Sequence, residues 1–292
     1  MVKVNATVLR AAGINCDMET EYALELAGAK AERVHINKFI EDKKLLDKYH
    51  ILVVPGGFSY GDDVAAGKIL ANQIIHHLYE PIQKFIDEGK LVLGICNGFQ
   101  VLVKAGILPG INHELTRNNT KNKNSVNLYK FVSDKNPCKS VSITYNDSGK
   151  FEDRWVYLAP QTDKCVFIKP GRQIYLPIAH GEGKVVTKDK NTLEKLKSEG
   201  HIAFKYVDAN GNEGDYPINP NGSMNSIAGL TDSTGRVLGL MPHPERHIRL
   251  TQHPHWTRLH KRCGTTEEGR QTKDADGMTI FNNAVRFIQE NF

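Results

Sequence analysis

Across 292 residues the chain carries five cysteines: Cys16, Cys96, Cys138, Cys165 and Cys263. They are odd in number and form no C-x-x-C pair, which argues against a secreted disulfide framework and fits a reducing cytoplasm. Long apolar runs are lacking too. No stretch approaches the ~20 residues of a membrane-spanning helix, and the opening segment MVKVNATVLR has no signal-peptide core. The expectation is a soluble, cytoplasmic protein with no membrane partner. Charge of one sign is scarce: 38 basic against 33 acidic residues leave +5, spread along the sequence and not gathered into a stripe. Nucleic acid is therefore not an expected partner. With 40% hydrophobic and 24% charged residues and no excess of Gly or Pro, disorder, collagen and coiled coil are poor readings of the whole chain. A G-x-x-x-x-G-K-[ST] phosphate loop and a G-x-G-x-x-G after the first strand are also missing.

What is there reads as a parallel α/β protein. Val2, Val4, Ala6 and Val8 alternate with polar residues, a period of two that marks a strand ending in a loop from Arg10 to Cys16. Asp17 is placed to cap a helix with Tyr22, Ala23, Leu26 and Ala27 on its apolar face and Gly28 as its stop. A short strand over 33–36 follows. His50 to Pro55 and Lys90 to Cys96 are continuous apolar runs, as expected of parallel strands covered on both faces. Helical patterns over 64–79 and 81–87 connect them, giving the βαβ rhythm of an open sheet. Strand-like pieces follow at 140–145, 155–158 and 165–169, then a helix over 193–200, a strand over 201–207 and a turn-rich stretch from Asp208 to Asn225. A buried strand over 236–241 and a terminal helix carrying Met278, Phe281, Val285 and Ile288 complete the pattern. The length permits one large domain or two ordinary ones. Without an internal linker or repeat, the reading is a single domain over 1–292, with a polar, Asn-rich insertion at 112–127 and an extension at 247–276.

Three pieces carry chemistry. Gly94-Ile95-Cys96-Asn97-Gly98 joins an apolar strand to a helix, and paired glycines permit the sharp turn of a nucleophile elbow. Cys96 then sits at a helix N-terminus, where amides and the helix dipole favour the thiolate. A free cysteine is more often a small buried hydrophobe, and the other four cysteines read as bystanders. Met241-Pro242-His243-Pro244-Glu245 follows a buried strand, and in extended chain His243 and Glu245 face the same side. A carboxylate beside the imidazole fixes its tautomer, and His243 can then activate Cys96. By itself His-Pro-Glu would be read as a solvated turn; the elbow reverses that balance. Pro55-Gly56-Gly57 also follows a parallel strand, where backbone amides can converge on an anion. All three lie at carboxyl ends of strands, where open parallel sheets gather their sites.

These residues resemble the class I glutamine amidotransferases, with their Cys-His-Glu triad. GGFSYGDD at 56–63, SGKFEDRWV at 148–156, PIAHGEGK at 177–184, YPINPNGS at 216–223, MPHPER at 241–246 and the opening VLRAAGINCD at 8–17 narrow the resemblance. Over essentially the full chain, and in order, they are similar to the glutaminase subunits of phosphoribosylformylglycinamidine synthase. The resemblance implies a flavodoxin-like three-layer α/β sandwich with a mostly parallel central sheet. It implies hydrolysis of L-glutamine by Cys96, His243 and Glu245, an oxyanion hole from the amides of Gly57 and Asn97, and glutamine contacts from Gly56, Gln100, His180 and Gly181. Ammonia would pass to a synthetase subunit, with a small accessory subunit as a further possible partner. There ATP and magnesium would drive conversion of formylglycinamide ribonucleotide to the formylglycinamidine in purine synthesis. This chain itself is expected to need no cofactor or metal.

The chain departs from that pattern at 112–127 and 247–276, both longer than a compact subunit needs and both candidate contacts for the synthetase. His247, His253, His255, His260 and Cys263 fall close together in the second, but their spacing matches no standard zinc finger. They read as a solvated loop. Other readings stay open on the sequence: the glutaminase component of another amidotransferase, a cysteine hydrolase or stress protein of the same architecture, or a catalytically silent binding subunit.

Overall fold

A computed structural model describes residues 2–110, 140–260 and 274–292. Cys138, Cys263 and the whole 112–127 insertion lie outside the described residues.

Among the described residues, eleven strands run in chain order: β1 (Asn5–Arg10), β2 (Lys30–His35), β3 (Ile51–Val54), β4 (Leu91–Ile95), β5 (Val141–Tyr145), β6 (Glu152–Pro160), β7 (Ile174–His180), β8 (Glu182–Thr187), β9 (Ile202–Val207), β10 (Ile227–Thr231) and β11 (Val237–Leu240). Nine of them form one sheet in the order β2-β1-β3-β4-β11-β10-β9-β6-β7, and β5 pairs with β8 separately. The first five in that order are parallel, and the reversal of direction after β1 is the flavodoxin-like doubly wound arrangement. From β11 onward the pairs are antiparallel. The sheet is thus mixed, with a parallel half that holds the site.

The central parallel strands β3 and β4 are apolar throughout because both faces are covered, whereas the edge strand β2 buries one residue, Val34. β3 and β4 are buried at every position. The helix Asp17–Leu26 turns Thr20, Ala23 and Leu24 inward, not the face containing Tyr22 and Leu26, which are both exposed. Asp17 does not cap this helix. Cys16 is the preceding residue, and the buried Asp17 carboxylate instead meets Arg10 at 2.8 Å and Arg33 at 3.5 Å. The crossover is nearly continuous, from Lys68–Gln73 through a π turn at Ile74–Leu78 into Tyr79–Asp87. The terminal helix Met278–Asn291 buries Met278, Phe281, Val285 and Ile288, as its spacing predicts.

Residues 165–169 form turns and not a strand; the pairing falls to β7, β8 and β10, whose sequences alternate or are broken by Pro and Gly. The 247–253 part of the extension is not a solvated loop either. His247 and His253 are buried; their rings lie 4.8 Å from the Trp155 ring, and the Tyr175 ring lies 5.3 Å from that of His253. The His247 Nδ1 faces the Tyr175 carbonyl at 2.7 Å, so these imidazoles pack as flat aromatic surfaces. Among the described residues, no helix is long and apolar enough to cross a membrane.

Candidate active site

Strand order builds the site. β4 lies between β3 and β11 with its end level with theirs: Val54 is opposite Gly94, and Leu240 is opposite Ile95. The segments leaving β3, β4 and β11 therefore emerge side by side, carrying Gly56-Gly57, Cys96 and His243 respectively. β1 borders β3 on its other side and adds the loop that ends at Cys16.

The elbow is tight enough to leave its mark on the backbone. Cys96 has φ 49° and ψ −106°, a conformation that costs a non-glycine residue ~1–3 kcal/mol and is retained only where the surroundings enforce it. They do so through close contact. A Cβ on Gly98 would stand 1.8 Å from the Val54 carbonyl oxygen, so the helix Asn97–Lys104 can start this near β3 only with glycine there. Gly57, at φ 142°, packs its backbone on the Gly13–Asn15 loop and pairs with Ile14.

His243 and Glu245 meet as their spacing predicts: Nδ1 lies 2.6 Å from Oε1, on side chains 2% and 0% exposed. The His243 amide donates to the Pro177 carbonyl at 2.8 Å, so β7, last in the sheet order, returns to clamp the histidine. Burial alone would lower the pKa of His243. The Glu245 carboxylate and then Cys96 outweigh it, and the imidazole is held well above its ordinary value. The Cys96 thiol is near enough to add to that rise, and its sulfur faces the Ala179 carbonyl at 3.8 Å. Nε2 of His243 has no hydrogen-bond partner among the described residues, leaving it available to a reacting group.

A buried polar chain fixes the elbow from behind. Asn97 Nδ2 donates to Asp62 Oδ1 at 3.1 Å and to Gln100 Oε1 at 3.0 Å, and its Oδ1 accepts from the Ser59 amide at 3.3 Å. Gln100 Nε2 in turn donates to the Glu182 carbonyl at 2.5 Å. Gln100 thus ties the helix to β8, and its polar atoms are engaged by the scaffold. His180 lies on the other side, with Nδ1 3.2 Å from Asn146 Oδ1 and Nε2 buried without a partner among the described residues. Burial, and after it the charge of His243, push its pKa down to about 3. The adjoining Gly181 carbonyl accepts from the Asn146 amide at 2.9 Å. Gly56 is pressed against His243, and its carbonyl accepts from the Cys16 amide.

Of the cysteines read as bystanders, Cys165 fits: it is fully buried in the core and desolvation pushes its thiol up to about 12. Cys16 does not. Its sulfur, a nitrogen of His243 and an oxygen of Glu245 lie within 4.8 Å of one another, and Arg246 Nη2 donates to it at 3.1 Å. Asp62, Arg246 and Ala179 were likewise not legible as site residues. Cys16 carried a usable signal, since it too follows the carboxyl end of a parallel strand.

The profile of the CobB/CobQ-like glutamine amidotransferase domain matches residues 3–288. The chain is 42% identical over 295 aligned residues to phosphoribosylformylglycinamidine synthase subunit PurQ of Dehalococcoides mccartyi, covering 99% of this chain and all of the relative. It is 44% identical to the PurQ subunit of Treponema denticola, over 86% of this chain and 91% of that one. A chain in the structure of PurLQS from Thermotoga maritima superposes with a TM-score of 0.65 at 29% identity, over 98% of this chain and 100% of that one. The chain therefore belongs to the CobB/CobQ-like glutamine amidotransferases and, within them, to the PurQ subunits of phosphoribosylformylglycinamidine synthase.

Proposed function

We propose that this glutaminase subunit hydrolyses L-glutamine through a Cys96–His243–Glu245 triad and hands the ammonia to a PurL-type synthetase subunit. The observation that carries the assignment of roles is the buried 2.6 Å His243–Glu245 contact beside a cysteine on a strained elbow. Cys96, as thiolate, attacks the carboxamide carbon. The oxyanion that forms is met by the backbone N–H groups of Gly57 and Asn97, the latter a first-turn amide without an intrahelical acceptor. His243, charged because Glu245 faces its Nδ1, gives its Nε2 proton to the departing nitrogen, leaving a thioester and ammonia. Water then attacks the thioester, His243 takes its proton, and glutamate leaves with the thiolate restored. Gly56, His180 and Gly181 are assigned to glutamine binding. Gln100 acts there through the helix and β8 that it joins.

ATP and magnesium would act in the synthetase, where ammonia replaces the glycinamide carbonyl oxygen of formylglycinamide ribonucleotide, which leaves as phosphate, and a small third subunit is a further partner. The reading of 1–292 as one glutaminase domain is supported by a sheet that draws on strands from Asn5 to Leu240. A cytoplasmic location is supported by the cysteine pattern and by the purine-synthesis role.

The test is the assembled complex carrying Cys96→Ala. Glutamine-dependent amination is expected to vanish while ammonia-dependent amination persists. Full glutamine-dependent activity in that variant would overturn the assignment.

A further inference from the structure

Cys16 takes no part in that chemistry, yet it is not placed as an inert core thiol. It ends the loop after β1, with 0% exposure. Among the described residues, no other group of three histidine, cysteine or acidic side chains brings its ligand atoms as close together as Cys16, His243 and Glu245. A Cβ on Gly56 would stand 3.1 Å from the Cys16 sulfur and 3.3 Å from His243 Nδ1. Sulfur and Nδ1 therefore border one small space, which the missing side chain keeps open. A second observation is independent of the cysteine. Glu245 Oε2, on a fully buried side chain, has no hydrogen-bond partner among the described residues, and a buried carboxylate oxygen is costly to leave without one.

We propose that Cys16, Nδ1 of His243 and Glu245 form a site for a thiophilic divalent cation such as zinc, whose binding switches the glutaminase off.

Sulfur, imidazole nitrogen and carboxylate oxygen together are the donor set of zinc and cobalt, and a tetrahedral ion with bonds of ~2.0–2.3 Å holds its donors ~3.5 Å apart. Closing a 4.8 Å cluster to that spacing takes about one ångström of side-chain movement. A thiolate and a carboxylate supply two negative charges to match the ion. Burial raises the pKa of the Cys16 thiol, so the ion must displace its proton; Arg246 Nη2, at 3.1 Å from the sulfur, opposes that rise and occupies one of the several acceptor directions of the sulfur. The fourth position is left for water.

Inhibition follows from the tautomer. A metal on Nδ1 uses the lone pair of that nitrogen, so the single proton of the neutral ring must reside on Nε2. Nε2 then has no lone pair with which to take a proton from Cys96 or water, and Glu245 no longer orients the ring. On binding, the thiol proton and the Nδ1 proton of the charged ring are released to solvent and the Nε2 proton stays; nothing is oxidised or reduced.

The cation site stands on the geometry, and only the switching rests on the glutaminase reading. The full chain is titrated with cobalt(II) and followed by the thiolate-to-cobalt absorption band, with zinc added to displace the cobalt. Wild type and Cys96→Ser are expected to bind one ion per chain and show the band, and Cys16→Ser to lose it. Absence of binding in wild type would overturn the proposal, as would a band that survives Cys16→Ser and disappears in Cys96→Ser. Should Cys16→Ser not fold, Glu245→Gln serves instead: cobalt affinity is expected to fall about 10-fold or more, and an unchanged affinity contradicts the site. These optical results hold whether or not the chain hydrolyses glutamine, so failure of the glutaminase reading is seen separately, in the rate.

Discussion

His180 makes acid a probe of how this site is packed. The ring is 3% exposed, and burial followed by the charge of His243 brings its pKa to about 3. In the unfolded chain it titrates near ~6.5. Between those values the unfolded state binds one more proton than the folded state. The stability this confers is present above the unfolded pKa and is lost as pH falls, by ~1.4 kcal/mol per unit once well below it. From about pH 7.5 to about pH 5 the loss attributable to His180 is ~2 kcal/mol. His243 has the opposite sign: its raised pKa stabilises the fold below about 6.5 and ceases to do so as pH rises through the folded value. Burial lowers His247 and His253 as well, so the total slope is not diagnostic, but the difference between wild type and His180→Asn is. Urea unfolding at the two pH values should show the variant losing ~2 kcal/mol less than wild type on acidification. Equal losses would mean that His180 is not held as a buried neutral ring.

Three further outcomes follow from particular contacts. Glu245→Gln removes the carboxylate that holds His243 protonated, so the glutamine-dependent rate should fall by about 10²–10⁴, with the pKa of His243, read by NMR, moving down. Gly98→Ala sets a methyl group 1.8 Å from the Val54 carbonyl; a destabilisation of roughly 3 kcal/mol or more in thermal unfolding is expected, and a variant as stable as wild type would refute the tight elbow. Asp62→Ala strips the acceptor from Asn97 Nδ2 and the Gly67 amide. It should lower glutamine-dependent turnover about 10-fold through misplacement of the elbow, with Asp62→Asn recovering part of it.

The parallel half of the fold was legible because β3 and β4 are buried on both faces and so write themselves as unbroken apolar runs. The residues of the proposed triad were legible because they lie in short local motifs at strand ends. The antiparallel half was harder to read. β7 alternates in burial but carries Pro177, and β10, short and buried at every position, carries Gly229. Asp17 appeared as a cap because an acid before a helix usually is one, but two arginines from neighbouring strands claim it. Cys16, Arg246 and Asp62 escaped notice for a common reason. Each acts through a partner distant in sequence, 230 positions away for Cys16 and Arg246, and local pattern holds no record of such pairs. The buried histidines at 247 and 253 were hidden in the same way, since Trp155 and Tyr175, against which they pack, come from strands far upstream.

The most direct measurement is to treat the assembled complex with an alkylating diazoketone or chloroketone analogue of glutamine and locate the adduct by peptide mass. A single adduct at Cys96, prevented by glutamine and accompanied by loss of glutamine-dependent but not ammonia-dependent amination, is the predicted result. An adduct at Cys16 in place of Cys96, or full loss of glutamine-dependent activity with Cys96 unmodified, would contradict the assignment of the nucleophile.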